Sequence, residues 1–524
     1  MLEPVPPPAF PETLNLATYF LDQRIEEGRG EHIAVIDDRG AYSYAEVHEL
    51  AERIAGALWQ VGVRPEDRCL IALFDSVEFA AAFFGITKAG AVVAMCNPEL
   101  PPPDYQHYLR YTRCRALIVD GELLERIAEL LPQCDCLRAV LVAGEVPANL
   151  PRLDGVTVLS WDDVRQAPRR ATYPTSKDDP AVWLFTSGST GKPKAAVHFH
   201  HDFPYNTECY AKQVLRLAPD DVTLSVPKLY FGYATGNNLM FPFAVGATAV
   251  LFRERPSPHA LLERIRRHGV TVLTSVPTAL SRMLDAAPHA ELHPLRLCTS
   301  AGEALPKELY QRFTAAYGVE ILDGIGSAEL FHVYISNRPG EVRPGSLGQL
   351  VPGYEARIVR PDGQEAGPGE IGALWVKGDS AALCYWQAHE QSKATLRGDW
   401  VVSGDLFHKD EQGFFYYDGR ADDLLKIGGI FVSPLEVEDV LLGHPAVLEV
   451  AVVGEENETG LVRGLAFIVC KTGFSPSDAL AEVLITHTKV RLAHYKAPSR
   501  IEFVEALPRS DRGKILRRVL RKGP

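Results

Sequence analysis

Nine consecutive residues, Thr186-Ser187-Gly188-Ser189-Thr190-Gly191-Lys192-Pro193-Lys194, concentrate four hydroxyls, two glycines and two lysines in one short segment. Glycines let backbone N–H groups approach an anion closely, hydroxyls donate to its oxygens, and lysines neutralise its charge. That combination suits a phosphate. A plain Gly/Ser turn has a similar glycine content, but it needs neither the cations nor the density of donors. The segment follows Ala181-Val182-Trp183-Leu184-Phe185, whose aromatic and β-branched content predicts a buried strand.

The Walker A pattern does not fit. It requires four residues between its first Gly and its Gly-Lys pair, whereas only Ser189 and Thr190 lie between Gly188 and Gly191 here. Lys192 is also followed by Pro193, where a metal-binding hydroxyl would open a helix. Just downstream, His198, His200 and His201 invite a metal reading. Zinc sites need further ligands in a closed geometry, and no nearby residue completes one.

Elements that could position such a loop alternate along most of the chain. Ala45–Leu58 is an amphipathic helix pattern, Arg68–Phe74 a strand, Phe79–Lys88 a helix and Ala91–Cys96 a strand. Further strands are expected at Ala116–Val119, Val140–Ala143, Val222–Val226, Ala247–Phe252, Val270–Ser275 and Leu295–Ser300, with a helix over Ala260–His268. This alternation predicts α/β architecture with largely parallel sheets. After about Gly345 glycine and β-residues dominate, which predicts a small antiparallel, barrel-like β unit. A charged, Gly-flanked stretch at Arg420–Asp423 marks a domain boundary, giving a large domain over 1–420 and a small α+β domain over 421–524.

Composition sets bounds. The 524 residues imply roughly three or four structural units. With 46% hydrophobic and 23% charged residues the chain is neither fibrous nor low-complexity. A net charge of −13 excludes a non-specific nucleic-acid coat. Nine cysteines with a lone Cys134-x-Cys136 pair predict reduced thiols and a cytoplasmic protein. The N-terminus carries no basic and apolar leader pattern. Lys88, Gly85 and Gly90 interrupt the most apolar window, Phe79–Cys96, so a buried helix and strand are expected there rather than a membrane span.

Three later segments join the phosphate loop: Asp323-Gly324-Ile325-Gly326-Ser327-Ala328-Glu329; Ser403-Gly404-Asp405 with Gly419-Arg420-Ala421-Asp422-Asp423; and Pro508-Arg509-Ser510-Asp511-Arg512-Gly513-Lys514. In order and separation, over nearly the whole chain, they resemble the adenylate-forming superfamily of acyl-CoA synthetases, peptide-synthetase adenylation domains and luciferases. The resemblance implies a reaction in two halves. A carboxylate attacks the α-phosphate of ATP, releasing pyrophosphate, and a thiol then displaces AMP. It implies ATP, Mg²⁺ and coenzyme A as cofactors, and it leaves room for a homodimer.

Roles follow by resemblance. Thr186, Ser187, Gly188, Ser189, Thr190, Gly191 and Lys192 match the loop over the β- and γ-phosphates, with Thr190 also a candidate metal contact. Asp405 matches the carboxylate that accepts the ribose hydroxyls, and Arg420 the cation near ribose and phosphate. Gly302, Glu303 and Ala304 match the segment on adenine, and Asp323, Gly324, Ile325, Gly326 and Ser327 continue the nucleotide site. Glu329 matches the magnesium-binding glutamate. Relatives carry a threonine before it, where this chain has Ala328, which cannot donate. Lys514 matches the catalytic lysine that touches the substrate carboxylate and α-phosphate. Asp422 matches the hinge about which the small domain swings, and Gly429 the residue beside the pantetheine arm of CoA.

Within the superfamily the chain is most similar to benzoate-CoA ligases, through Lys228-Leu229-Tyr230-Phe231-Gly232-Tyr233, Leu330-Phe331-His332-Val333 and Lys426-Ile427-Gly428-Gly429-Ile430-Phe431-Val432-Ser433-Pro434. The implied substrate is a small aromatic carboxylate lying between backbone glycines and an aromatic wall. Ala301, Gly232, Tyr233, His332 and Val333 are its candidate contacts, with His200 between the phosphate loop and the acid pocket. Relatives commonly have alanine at Gly232, so a substituted ring stays open. Two other functions also stay open. One is an adenylation module loading a separate carrier protein, since no carrier segment follows Lys514 before Pro524. The other is a binding relative without turnover, for which Ala328 speaks.

Overall fold

The structure is a computed structural model that describes residues 7–187, 193–420, 425–427, 430–456, 462–509 and 515–521. Among these, two large sheets carry all the strands up to Gln349–Leu350, one of nine strands and one of eight, the latter joined by Cys384–Tyr385. Five neighbouring strands of the nine-stranded sheet pair in parallel through Val222–Ser225, Thr248–Val250, Val272–Ser275, Leu297–Ser300 and Ile321–Gly326. The eight-stranded sheet is likewise parallel at its centre and turns antiparallel where Pro180–Ser187 meets Pro193–Phe199. The expected α/β alternation is therefore realised.

Local chemistry fixes the helices. Ser43 and Glu46 form a reciprocal capping box at the start of Tyr44–Gln60. Ser76 caps Val77–Lys88, and every residue of that helix is buried. The apolar window is thus a core helix followed by the Val92–Met95 strand. No helix of the described residues is long and apolar enough to cross a membrane. Leu16, Phe83 and Phe243 belong to one large core, and separate cores fill the second sheet and the far side of the first.

Beyond residue 354 lies an antiparallel sheet of five strands. Its ten-residue strand Trp400–Lys409 pairs with Gly372–Lys377, Leu396–Arg397 and Phe415–Arg420. Two further cores, around Val437, Val452 and Leu484 and around Phe467 and Leu507, draw only on residues from Leu425 onward.

Candidate active site

The phosphate-loop segment is carried by a β-hairpin. Pro180–Ser187 pairs antiparallel with Pro193–Phe199, and the register sets Thr186 opposite Lys194 and Ser187 opposite Pro193. Gly188, Ser189, Thr190, Gly191 and Lys192 lie outside the described residues. At the loop end of the hairpin the Lys194 ammonium sits 3.4 Å from the centroid of the Tyr385 ring. The Tyr385 hydroxyl donates to Glu329 Oε1 at 2.5 Å. The last described pairs of the hairpin are therefore linked to Glu329 through Tyr385.

Glu329 sits in a turn between the Ile321–Gly326 and Val333–Ser336 strands. Gly326 is required there, because a Cβ would stand 2.4 Å from the His332 carbonyl oxygen. Phe331 adopts φ 68° and ψ −58°, and His332 N–H closes onto the Leu330 carbonyl at 2.8 Å. This is a γ-turn in a strained region, sustained only where the surroundings fix it. They do so here. The Phe331 ring packs 4.3 Å from Phe203, centroid to centroid. The Ala382 N–H donates to the Glu329 carbonyl at 2.8 Å and the Ser380 hydroxyl to the Leu330 carbonyl at 3.0 Å.

The turn is also clamped from behind. His198 Nε2 donates to the Ala328 carbonyl at 2.6 Å, and its Nδ1 shares a proton with Asp202 Oδ2 across 2.7 Å. Both side chains are fully buried, and burial pushes the Asp202 carboxyl above the usual carboxylate range. The histidine run is thus tied into a structural clamp. Among the described residues no group of three metal-ligating side chains is assembled.

The nucleotide candidates gather from separate strands. Asp405 and Arg420 are register partners on adjacent antiparallel strands. The Tyr417 hydroxyl reaches Asp405 Oδ1 at 3.4 Å, and Tyr334 lies close enough to both Asp405 and Glu329 for their charges to raise its pKa, after the larger effect of burial. Ser327 stands near that same Tyr334 phenol, where it offsets part of the rise. Ala301 is buried at the end of its strand, while Gly302 (φ +88°, open space where a Cβ would stand) and Ala304 are exposed. Glu303 accepts from the Thr278 hydroxyl at 3.0 Å. Asp323 is buried, and its Oδ1 has no hydrogen-bond partner. Burial pushes its carboxyl up to about 8 against the neighbouring Ser300 and the N–H groups of Leu305 and Gly324. An unpartnered acceptor suits an amino group such as that of adenine. Gly324 and Ile325 are ladder partners of Ser336 and Ile335.

The aryl candidates form one contact group. His332 stacks on Tyr233 and donates Nε2–H to its carbonyl. Its Nδ1 is buried without a partner, and burial holds the imidazole down to about 4. The Tyr233 hydroxyl donates to Thr299 Oγ1 at 3.0 Å. Val333 is buried immediately beyond, and Gly232 opens the helix that carries Tyr233. His200 is tied elsewhere: its Nδ1 accepts from the Leu16 N–H at 3.0 Å, its Nε2 is buried without a partner, and burial depresses it to about 3.

Asp422, Gly429 and Lys514 lie outside the described residues. The flanks of Lys514 are described: Arg509 pairs with Ile515 across a bridge, and its guanidinium stands 4.0 Å from Glu303 and 3.0 Å from Glu449. A cleft of about 1290 Å³ runs from Pro193 past Lys228 and Tyr230 to Arg253 and Arg255. Sequence reasoning gave no role to Tyr385, Asp202, Ser380 or Tyr334. His198 lies on a strand and Asp202 opens the helix after it, and the others come from distant segments, so no regular spacing marks them.

A family model described as AMP-binding enzyme matches residues 21–386, and one described as AMP-binding enzyme C-terminal domain matches 436–514. The benzoate–CoA ligase of Thauera aromatica is 42% identical over 522 residues, covering 98% of this chain and 97% of that protein. A crystal structure of a benzoate CoA ligase from Burkholderia xenovorans LB400 superposes with a TM-score of 0.88 at 42% identity, covering 97% of this chain and 99% of that one. The structure of an anthranilate CoA ligase in complex with anthranoyl-AMP superposes with a TM-score of 0.92 at 37% identity, over 98% of each chain.

Proposed function

This chain belongs to the AMP-binding enzyme family, among its aromatic acid–CoA ligases, and we propose that it joins benzoate or a substituted benzoate to coenzyme A through an aryl-adenylate. One observation carries the reading. A single clamped turn holds Glu329 at one end and His332, stacked on Tyr233, at the other. A charged centre suited to phosphate and a flat aromatic wall are thereby fixed a few residues apart, as the joining of an aryl carboxylate to a nucleotide requires.

In the first half-reaction a carboxylate oxygen of the acid bonds to the α-phosphorus of ATP as the bond to the pyrophosphate oxygen breaks. Lys514 is the cation assigned to the two anions that meet there. Asp405 and Arg420 orient the ribose, and Asp323 accepts from the adenine amino group. Glu329 fits a hard cation, since Oε2 makes no hydrogen bond among the described residues while Oε1 is held by Tyr385. Mg²⁺ bound there would neutralise the phosphate charge. In the second half-reaction the CoA sulfur bonds to the acyl carbon, the thiol proton is lost, and AMP leaves. The cleft that joins Pro193 to the turn leading into Gly232 is large enough for a nucleotide-bearing thiol.

The test is AMP release with ATP and a panel of substituted benzoates, with and without CoA, using Lys514→Ala as control. CoA-stimulated AMP release that the variant loses supports the ligase. Turnover only with a carrier protein overturns the CoA acceptor, and no AMP under any condition overturns the reading.

A further inference from the structure

Residues 382–386 strap the phosphate-loop hairpin to the Glu329 turn. Leu383 N–H donates to the Val197 carbonyl and Trp386 N–H to that of Ala195, at 2.8 and 2.9 Å. From the same segment Ala382 N–H donates to the carbonyl of Glu329. Tyr385 is the side chain at the centre of this strap. It is 4% exposed, its Cα partner is Ala196, and its own N–H donates to Ser392 Oγ at 2.9 Å. Lys194 lies two residues before Ala196 on the same strand, so it is the diagonal cross-strand neighbour of Tyr385 on one face.

We propose that Tyr385 is a positioning residue for nucleotide activation, its hydroxyl fixing the carboxylate of Glu329 and its ring face seating the ammonium of Lys194. The proposal rests on the reading of Glu329 as the magnesium ligand. The 2.5 Å contact lies in the range of hydrogen bonds from a hydroxyl to a carboxylate, and it fixes the rotation of the carboxyl group by occupying one oxygen. The ammonium 3.4 Å from the ring centroid is held by the negative face of the same ring. One rigid side chain thus sets the spacing between a cation beside the phosphate loop and the carboxylate meant for the metal.

Tyr385→Phe keeps the ring and removes the hydroxyl; Tyr385→Leu removes both. Calorimetric titration of the resting full-length enzyme with ATP, in excess Mg²⁺ and in EDTA, separates the two functions. Tyr385→Phe is expected to weaken Mg²⁺·ATP binding and to raise the half-saturating Mg²⁺ concentration about tenfold, leaving metal-free ATP binding and the KM for the acid unchanged. Tyr385→Leu is expected to weaken metal-free ATP binding as well. A Tyr385→Phe enzyme whose Mg²⁺·ATP affinity stays within about twofold of the parent overturns the proposal. So does a lowered Tm with unchanged metal dependence, which would mark a merely structural role. A parent that binds Mg²⁺·ATP but adenylates no aryl acid defeats the proposed function and leaves this binding test intact.

Discussion

His332 lies against Tyr233 with ring centroids 5.3 Å apart and planes 29° from parallel, and the same imidazole donates Nε2–H to the Tyr233 carbonyl at 3.0 Å. Two glycines flank this pair with opposite tolerances. A Cβ on Gly232 would meet Leu184 at 3.4 Å, an ordinary contact, whereas one on Gly236 would stand 2.4 Å from His332 Cδ2. Gly232→Ala is therefore expected to keep its Tm and to narrow the range of accepted rings. Gly236→Ala is expected to push His332 off Tyr233 and lower both Tm and kcat/KM for benzoate. Unchanged relative kcat/KM across substituted benzoates in Gly232→Ala would remove that residue from the pocket.

The buried titratable groups set a pH profile with two limbs. Asp323 titrates at about 8 when folded and near 4 when unfolded, because burial disfavours its charge. Between those values the folded state holds the extra proton, so Asp323 makes stability fall as pH rises. His200 and His332 run the other way. Burial depresses them to about 3 and about 4, below the ordinary 6.5, so the unfolded state holds the extra protons and stability falls as pH drops through that window. Asp323→Asn should flatten the alkaline limb of Tm against pH between about 5 and 8 and leave the acid limb in place. A full alkaline slope in that variant would assign it to other groups.

The His198 clamp carries stability as well as geometry. His198→Leu removes the donor to the Ala328 carbonyl and leaves the buried Asp202, among the described residues, with only His201 Nε2 at 3.2 Å and the Phe199 N–H at 3.1 Å. Breaking a buried pair from one side costs roughly 3–5 kcal/mol, and urea unfolding of the single variant should lose about that much. Adding Asp202→Asn should recover part of the loss by removing the stranded charge. A loss below about 1 kcal/mol in His198→Leu would rule the clamp out as a stabilising element.

The architecture was legible because strand and helix periods differ, and runs such as Arg68–Phe74 and Ala45–Leu58 satisfy one period alone. The observed Arg68–Ala72 strand and Tyr44–Gln60 helix differ only at their ends. The irregular helical stretch over Asp202–Lys212 carries Pro204 and aromatic residues that mask any period, so it left no readable pattern. Glu329, Asp405 and Tyr233 were singled out as candidates through short motifs. Tyr385 was not, since its function depends on meeting Glu329 across 56 positions of chain. The contact of His200 with the N-terminal segment was not legible, because proximity in sequence to the phosphate loop says nothing of the chain that folds back on it.

Ala328 lacks the hydroxyl that the family resemblance leads one to expect at its position, and its neighbour Ser327 is the nearest hydroxyl in the turn. The Ser327 side chain stands near the Tyr334 phenol and eases its titration, while the Ala328 backbone is fixed by His198. A hydroxyl introduced at 328 would therefore enter a turn whose course does not depend on it. A hydrogen bond to a charged group is worth about 1.5–3 kcal/mol, so Ala328→Thr should speed adenylation roughly tenfold or more if the bond forms in the transition state. Pyrophosphate exchange measures this half-reaction alone. Ser327→Ala supplies the complementary arm of a double-mutant cycle. If Ser327 leaves Tyr334 to serve the α-phosphate, its loss should slow the parent and spare the Ala328→Thr enzyme. Equal effects in the two backgrounds would mean that Ser327 acts on Tyr334 alone and that the parent works without this hydrogen bond.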